Sequence, residues 1–374
     1  MIRINNSFSV SKPSANISNQ LPLLKTDCQK RNKIGFAYIF KCILAVSAFP
    51  VLVIFSENAA MAASQSLQLC VSTVIPSLFP FLVISTLITS SGAGDVIGKL
   101  ISVPFERIFR IDKSCAVLFL LGNLTGYPAG AAAAANLVMS GRTDKDSASR
   151  ALAFCNNTGP AFLITGIGAG ILSDKMLGLI IWIALLMTSV LCGILMKKPA
   201  VKIKSGDIPN SVYSTKAEEK LLTEEKIKKY TSGPDSKTKI SNVSFAVLFT
   251  KAVSTSAVNM LSICAFVTFF GVVTSLLKVA LLSIGCKSPA VISLITCFAE
   301  ITSGVKEASS LGILPAALIT AAAVGWSGLS VHFQTSSVIE GSGITMKYYY
   351  TGKIMSVLIC PVLTLVLLKL TGKV

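Results

Sequence analysis

Residues 121–130 read LGNLTGYPAG. They sit in the middle of an apolar run, Cys115 to Ser140, whose length exceeds the roughly 20 residues that one membrane-crossing helix needs. Asn123, Thr125, Gly126 and Pro128 fall inside it. Pro128 lacks a backbone donor, and glycine is a poor helix residue. The run therefore does not read as one uninterrupted span. Whether it breaks within a crossing or turns back on itself decides the fold.

The composition sets the frame. Of 374 residues, 52% are hydrophobic and only 14% charged, against about 25% charged in an average soluble domain. Mean hydropathy is +0.70. Several apolar runs of about 20 residues mark an all-α, polytopic membrane protein. The alternation of a membrane barrel is absent from the sequence. The net charge of +17 reads as positive-inside loops beside anionic lipid, with no nucleic-acid partner. Ten scattered cysteines, without a CxxC, read as reduced packing residues, so neither metal nor cofactor is expected.

Along the chain, residues 1–33 form a basic tail. Residues 34–65 hold a first span and a short loop. Ala60-Met61-Ala62 resembles a signal-peptidase site but lies too far along for a cleaved leader, so the span is expected to stay. Residues 66–196 form a first repeat, whose first run, Ser66–Ser90, contains IPSLFPFLV (75–83), where Pro76 and Pro80 predict a kink. Residues 91–114 read as an interfacial segment and 141–150, GRTDKDSASR, as a polar loop. Ala151–Leu172 is interrupted by CNNTGP (155–160), and Leu177–Met196 is an unbroken span. Residues 197–240 carry eleven Lys and six acidic residues and read as a solvated linker. Residues 241–374 form a second repeat: Phe245–Leu277, Pro289–Ala299 running into EITSGVKE (300–307), Leu311–Val324 meeting GWSGLSVH (325–332), and a last span, Lys353–Leu370.

Charge sets the topology. With tail and linker both cytoplasmic, an even number of crossings separates them. Five apolar runs lie between, so one enters and returns on the same side. The arms of 115–140 are too short to cross, which makes 121–130 the tip of a re-entrant hairpin. The same count makes Val291–Leu311 a second hairpin of opposite orientation, with Glu300–Gly304 at its tip. Paired interruptions of this kind are the sequence sign of an inverted-repeat transporter.

The breaks are also where chemistry is expected. Freed backbone must be buried in protein or line an aqueous cavity, and half-helix ends attract ions. Asn123, Thr125, Asn156, Asn157 and Thr158 are candidate solute ligands. Gly122-x3-Gly126, Gly126-x3-Gly130 and Gly166-x3-Gly170 read as close helix packing. Glu300, beside Thr302 in the second tip, is an intramembrane carboxylate and a candidate carrier of a coupling ion, H⁺ or Na⁺, with a local pair to Lys306 as the alternative. His332, the single histidine, reads as packing or as a proton or anion contact. No catalytic constellation is present, so enzyme activity is not expected.

At these breaks the sequence resembles the YlbJ/SpoVV sporulation integral membrane proteins. The segments that carry the likeness are GNLTGYPAGAAAAANLVMSG (122–141), LAFCNNTGPAFLI (152–164), FAEITSGV (298–305), GLSVHFQ (328–334) and IPSLFPFLV (75–83). The resemblance implies two gate, or nucleoside-recognition, domains in a layout similar to concentrative nucleoside transporters. It implies export of dipicolinic acid from the mother cell across the outer forespore membrane. It also implies that 123–126 and 156–160, with Gly126 and Gly159, join Glu300 and the Ser330-Val331-His332 segment in the functional core. The family pattern expects Gly where Ser327 stands. A nucleoside or other polar solute, and a non-transporting scaffold of a sporulation complex, remain the alternatives. The expected partners are the anion and membrane lipid, and a homo-oligomer is compatible with the sequence.

Overall fold

The computed structural model describes residues 36–91, 93–197 and 244–374. The basic tail and, apart from Lys197, the linker lie outside the described residues. All regular structure among the described residues is helical, so the chain is an all-helical membrane protein. Among the described residues, five helices are long and apolar enough to cross a membrane: Ser56–Ile88, Lys175–Leu195, Phe245–Ser283, Ile313–Ile339 and Met346–Leu370. The described residues divide into two compact units, one holding helix α1 (Phe36–Ile54) and the other the described residues from Glu57 on. Every candidate site residue belongs to the second unit.

Helix α2 (Ser56–Leu69) passes through a π-helical turn (Cys70–Val74) into α3 (Ile75–Ser90). The widened turn ends just before Pro76, so the misfit of a residue without an N–H is taken up there. The Ala60-Met61-Ala62 segment therefore lies in a helix that starts ten residues before the expected Ser66. Helix α4 (Ala93–Phe109) occupies the segment expected at the interface. Its Phe105 and Phe109 pack with Phe119 and Phe154.

Next comes the hairpin of α5 (Ala116–Leu124) and α6 (Ala129–Met139). At 1.5 Å per residue its arms are about 14 and 17 Å long, half of a bilayer core of about 30 Å. The turn is built from Gly126 at φ +84° and a cis Tyr127–Pro128 bond. Helix α7 (Lys145–Cys155) follows. The expected polar loop 141–150 is shorter than read, because Asp144 caps a helix there: its Oδ1 accepts from Ser147 N at 2.9 Å. The chain leaves helix at Asn156 and resumes as a π-type helix, Ala161–Ile171, after Pro160. Helix α8 (Lys175–Leu195) closes the first half.

The second half opens with α9 (Phe245–Ser283), longer than the expected 245–277. The hairpin of α10 (Pro289–Ala299) and α11 (Ile301–Ala308) follows. Ser293 Oγ donates across it to Gly304 O at 2.8 Å. Helices α12 (Ile313–Trp326) and α13 (Gly328–Ile339) are one span broken at Ser327, and α14 (Met346–Leu370) ends the chain. Helix α14 starts seven residues before the expected Lys353, which moves that lysine from a span's end to its interior. Hairpin, broken helix and long helix thus occur in the same order in both halves.

Candidate functional site

The two hairpin tips, the first helix break and the helix that follows the second break meet around one small, partly open cavity of about 50 Å³. The first tip contributes Thr125, Gly126 and Tyr127, and the first break Thr158 and Gly159. The second tip contributes Glu300, Ile301 and Thr302, and the first half of α13 contributes Ser330, Val331 and Gln334. Apolar residues such as Val74, Phe162 and Val267 complete the wall. Seven of the eleven candidate residues, Thr125, Gly126, Thr158, Gly159, Glu300, Thr302 and Ser330, therefore share one cavity.

Glycine lets the elements come together. A Cβ on Gly126 would stand 2.9 Å from Gly159 N, and one on Gly159 would stand 3.0 Å from Leu124 O. In the second half Gly328, at φ +72°, lies against the other tip, where a Cβ would be 3.3 Å from Ala299 O. Ser327 beside it holds φ +79°, a left-handed conformation that explains the glycine expected there.

Glu300 is buried, 3% exposed. The chain is extended at this residue, and its side chain folds over the start of α11: Oε1 accepts from Thr302 N at 2.9 Å and Oε2 from Ser303 N at 2.6 Å. The carboxylate caps its own half-helix, so its contacts are backbone amides and not a local pair with Lys306. The helix starts at Ala161 and Gly328 carry no side-chain cap. Thr158 Oγ1 is buried without a hydrogen-bond partner among the described residues. Thr125 Oγ1 instead donates to Leu121 O at 2.6 Å.

The other four candidates stand behind the cavity wall. Asn157 Nδ2 donates to Asn123 Oδ1 at 3.0 Å and to Phe154 O at 2.8 Å, while Asn123 Nδ2 donates to Phe119 O at 2.8 Å. Asn156 Nδ2 donates to Thr335 Oγ1 at 3.0 Å. These amides tie the first tip, the first break and α13 to one another. His332 Nδ1 lies 3.0 Å from Tyr349 OH, and its ring sits edge-on to Trp326 at 4.4 Å.

Sequence reasoning missed Lys353. Its side chain is fully buried. Its Nζ donates to Asn156 O at 2.7 Å and to Asn157 Oδ1 at 3.0 Å and lies 5.5 Å from the Tyr349 ring centre. The available signal was a lysine inside an apolar helix, hidden by starting that helix at the lysine itself.

Comparison with known proteins agrees with this architecture. The chain is 26% identical over 343 residues to the sporulation integral membrane protein YlbJ of Bacillus subtilis (strain 168), covering 85% of this chain and 79% of that protein. No family model matches, and no solved structure matches. Likeness along most of both chains, in a helical protein built for the membrane, makes this chain similar to the sporulation integral membrane protein YlbJ.

Proposed function

We propose that this protein acts in sporulation as a membrane transporter of a small organic anion. The carrying observation is that two hairpin tips, the first helix break and the helix following the second break converge on one small cavity. Discontinuous helices that meet around a site are the architecture of secondary transporters. The uncapped helix starts at Ala161 and Gly328 favour negative charge, and Thr158 brings a buried hydroxyl to the cavity. The matching order of elements in the two halves supports reading them as inverted repeats that move against each other.

Dipicolinic acid is the solute the family resemblance implies. On this reading the protein exports it from the mother cell across the outer forespore membrane. A cavity of about 50 Å³ holds a few water-sized molecules. A pyridine dicarboxylate needs more room, so the tips must part before it enters. Glu300, the carboxylate at the cavity, is the candidate carrier of H⁺ or Na⁺.

The test is dipicolinate flux into proteoliposomes with the H⁺ and Na⁺ gradients varied. Saturable flux that Thr158→Val reduces at least tenfold supports the reading. Nucleoside flux without dipicolinate flux would replace it with the nucleoside alternative. No flux of either, with sporulation unaffected by Asn123→Ala and Asn157→Ala, would point to the scaffold.

A further inference from the structure

The first break ends a half-helix. Its last carbonyls are the negative end of a helix dipole, and in broken-helix carriers such freed oxygens commonly hold a mobile alkali cation. Here one such carbonyl, Asn156 O, and the neighbouring side-chain amide oxygen, Asn157 Oδ1, converge on one point, and the point is filled by Lys353 Nζ, 2.7 and 3.0 Å away. The lysine comes from α14, in the other half of the chain, and is fully buried. Lys353 makes no ion pair with any described residue. A buried ammonium without a carboxylate is costly unless its surroundings replace water. The two oxygens and the Tyr349 ring face, 5.5 Å from Nζ, are that replacement.

We propose that Lys353 is a tethered cation: its own ammonium fills the oxygen-lined position at the 156–157 break that a free alkali cation would otherwise take. The break then binds no mobile ion, and its shape is set by a charge the protein never releases. Any ion coupling is confined to the opposite side of the cavity, at Glu300. The inference concerns the break itself and holds whatever solute the cavity accepts.

Thermal unfolding of the purified full-length protein tests it, at equal ionic strength in choline, sodium, lithium or ethylammonium chloride. Wild type and Lys353→Arg are expected to melt at one temperature in all four salts. Lys353→Ala is expected to melt several degrees lower in choline, with ethylammonium, Na⁺ or Li⁺ restoring at least half of the loss. Lys353→Met keeps the aliphatic stem without the ammonium, and it is expected to respond to Na⁺ and Li⁺ if the alanine variant does not fold. Two outcomes overturn the proposal: folded variants whose melting is the same in every salt, or a wild type that Na⁺ stabilises as much as it does the variants. Neither readout involves flux, so failure here is distinct from failure of the transport reading.

Discussion

Gly126 and Gly159 pack backbone against backbone, so close that a methyl group on either would press on the other's chain. Gly126 also holds φ +84°, where any side chain is strained. Gly126→Ala is therefore expected to cost about 2 kcal/mol or more, from strain and contact together. Gly159→Ala meets only the contact and is expected to cost less. Because the two share one interface, the double variant is expected to cost less than the sum of the singles. Reversible unfolding in detergent, or melting temperature as its proxy, measures all three.

Glu300 caps α11 through two backbone amides. Removing a helix cap costs about 0.5–2 kcal/mol. Glu300→Ala is thus expected to melt below wild type, with Glu300→Gln between them because one oxygen can still accept. The coupling role is separable from the cap. If Glu300→Gln carries dipicolinate at the wild-type rate at every pH and sodium concentration tried, Glu300 does not couple transport to either ion.

Ser327 offers the opposite case. Its left-handed conformation costs a non-glycine residue about 1–2 kcal/mol, and its hydroxyl makes only a long 3.4 Å contact with Val324 O. Ser327→Gly is expected to raise the melting temperature or leave it unchanged. Ser327→Val is expected to lower it, since β-branching worsens the strain. A glycine variant clearly less stable than wild type would show that the serine hydroxyl contributes more than its geometry indicates.

Acid sensitivity is expected at the loop before α8. The Lys373 side chain, hydrogen-bonded to Asp174, holds that carboxyl below the usual range, helped by the Leu177 amide. A carboxyl depressed in the folded state adds stability above its unfolded value of about 3.9, and this is lost as pH falls through the folded value. The gap in melting temperature between wild type and Asp174→Asn is therefore expected at pH 6 and expected to close towards pH 3. A gap of equal size at both values would assign the effect to packing.

The helical membrane class was legible because lipid demands long apolar runs and the chain has few charges to interrupt them. The first hairpin was legible because Gly126 and Pro128 stand where no straight helix tolerates them. The cap at Glu300 was not. A carboxylate among apolar residues signals a buried acid, but its reach back to Thr302 N and Ser303 N depends on the helix restarting at Ile301. Nor could spacing show that Asn123, Asn156 and Asn157 lie behind the cavity while Thr158 and Gly159 face it. Adjacent residues in a broken helix point different ways, and the direction is set by elements distant in sequence. Lys353 was lost to a boundary: helix α14 gains two turns at Met346 from polar and aromatic residues that hydropathy alone does not count.

The contacts of α13 and α14 bear on how the molecule could be divided. Lys353 holds Asn156, Thr345 N donates to Ser149 Oγ at 3.0 Å, and Asn156 reaches Thr335. Each bond joins a residue before position 197 to one after 244. The first break therefore has no complete set of partners within its own half, and a polypeptide ending at 197 would leave the Asn156 carbonyl and the Asn157 amide oxygen facing nothing. The two halves are mutual ligands that happen to share a peptide chain, and severing that chain between them would leave a bimolecular complex to be assembled.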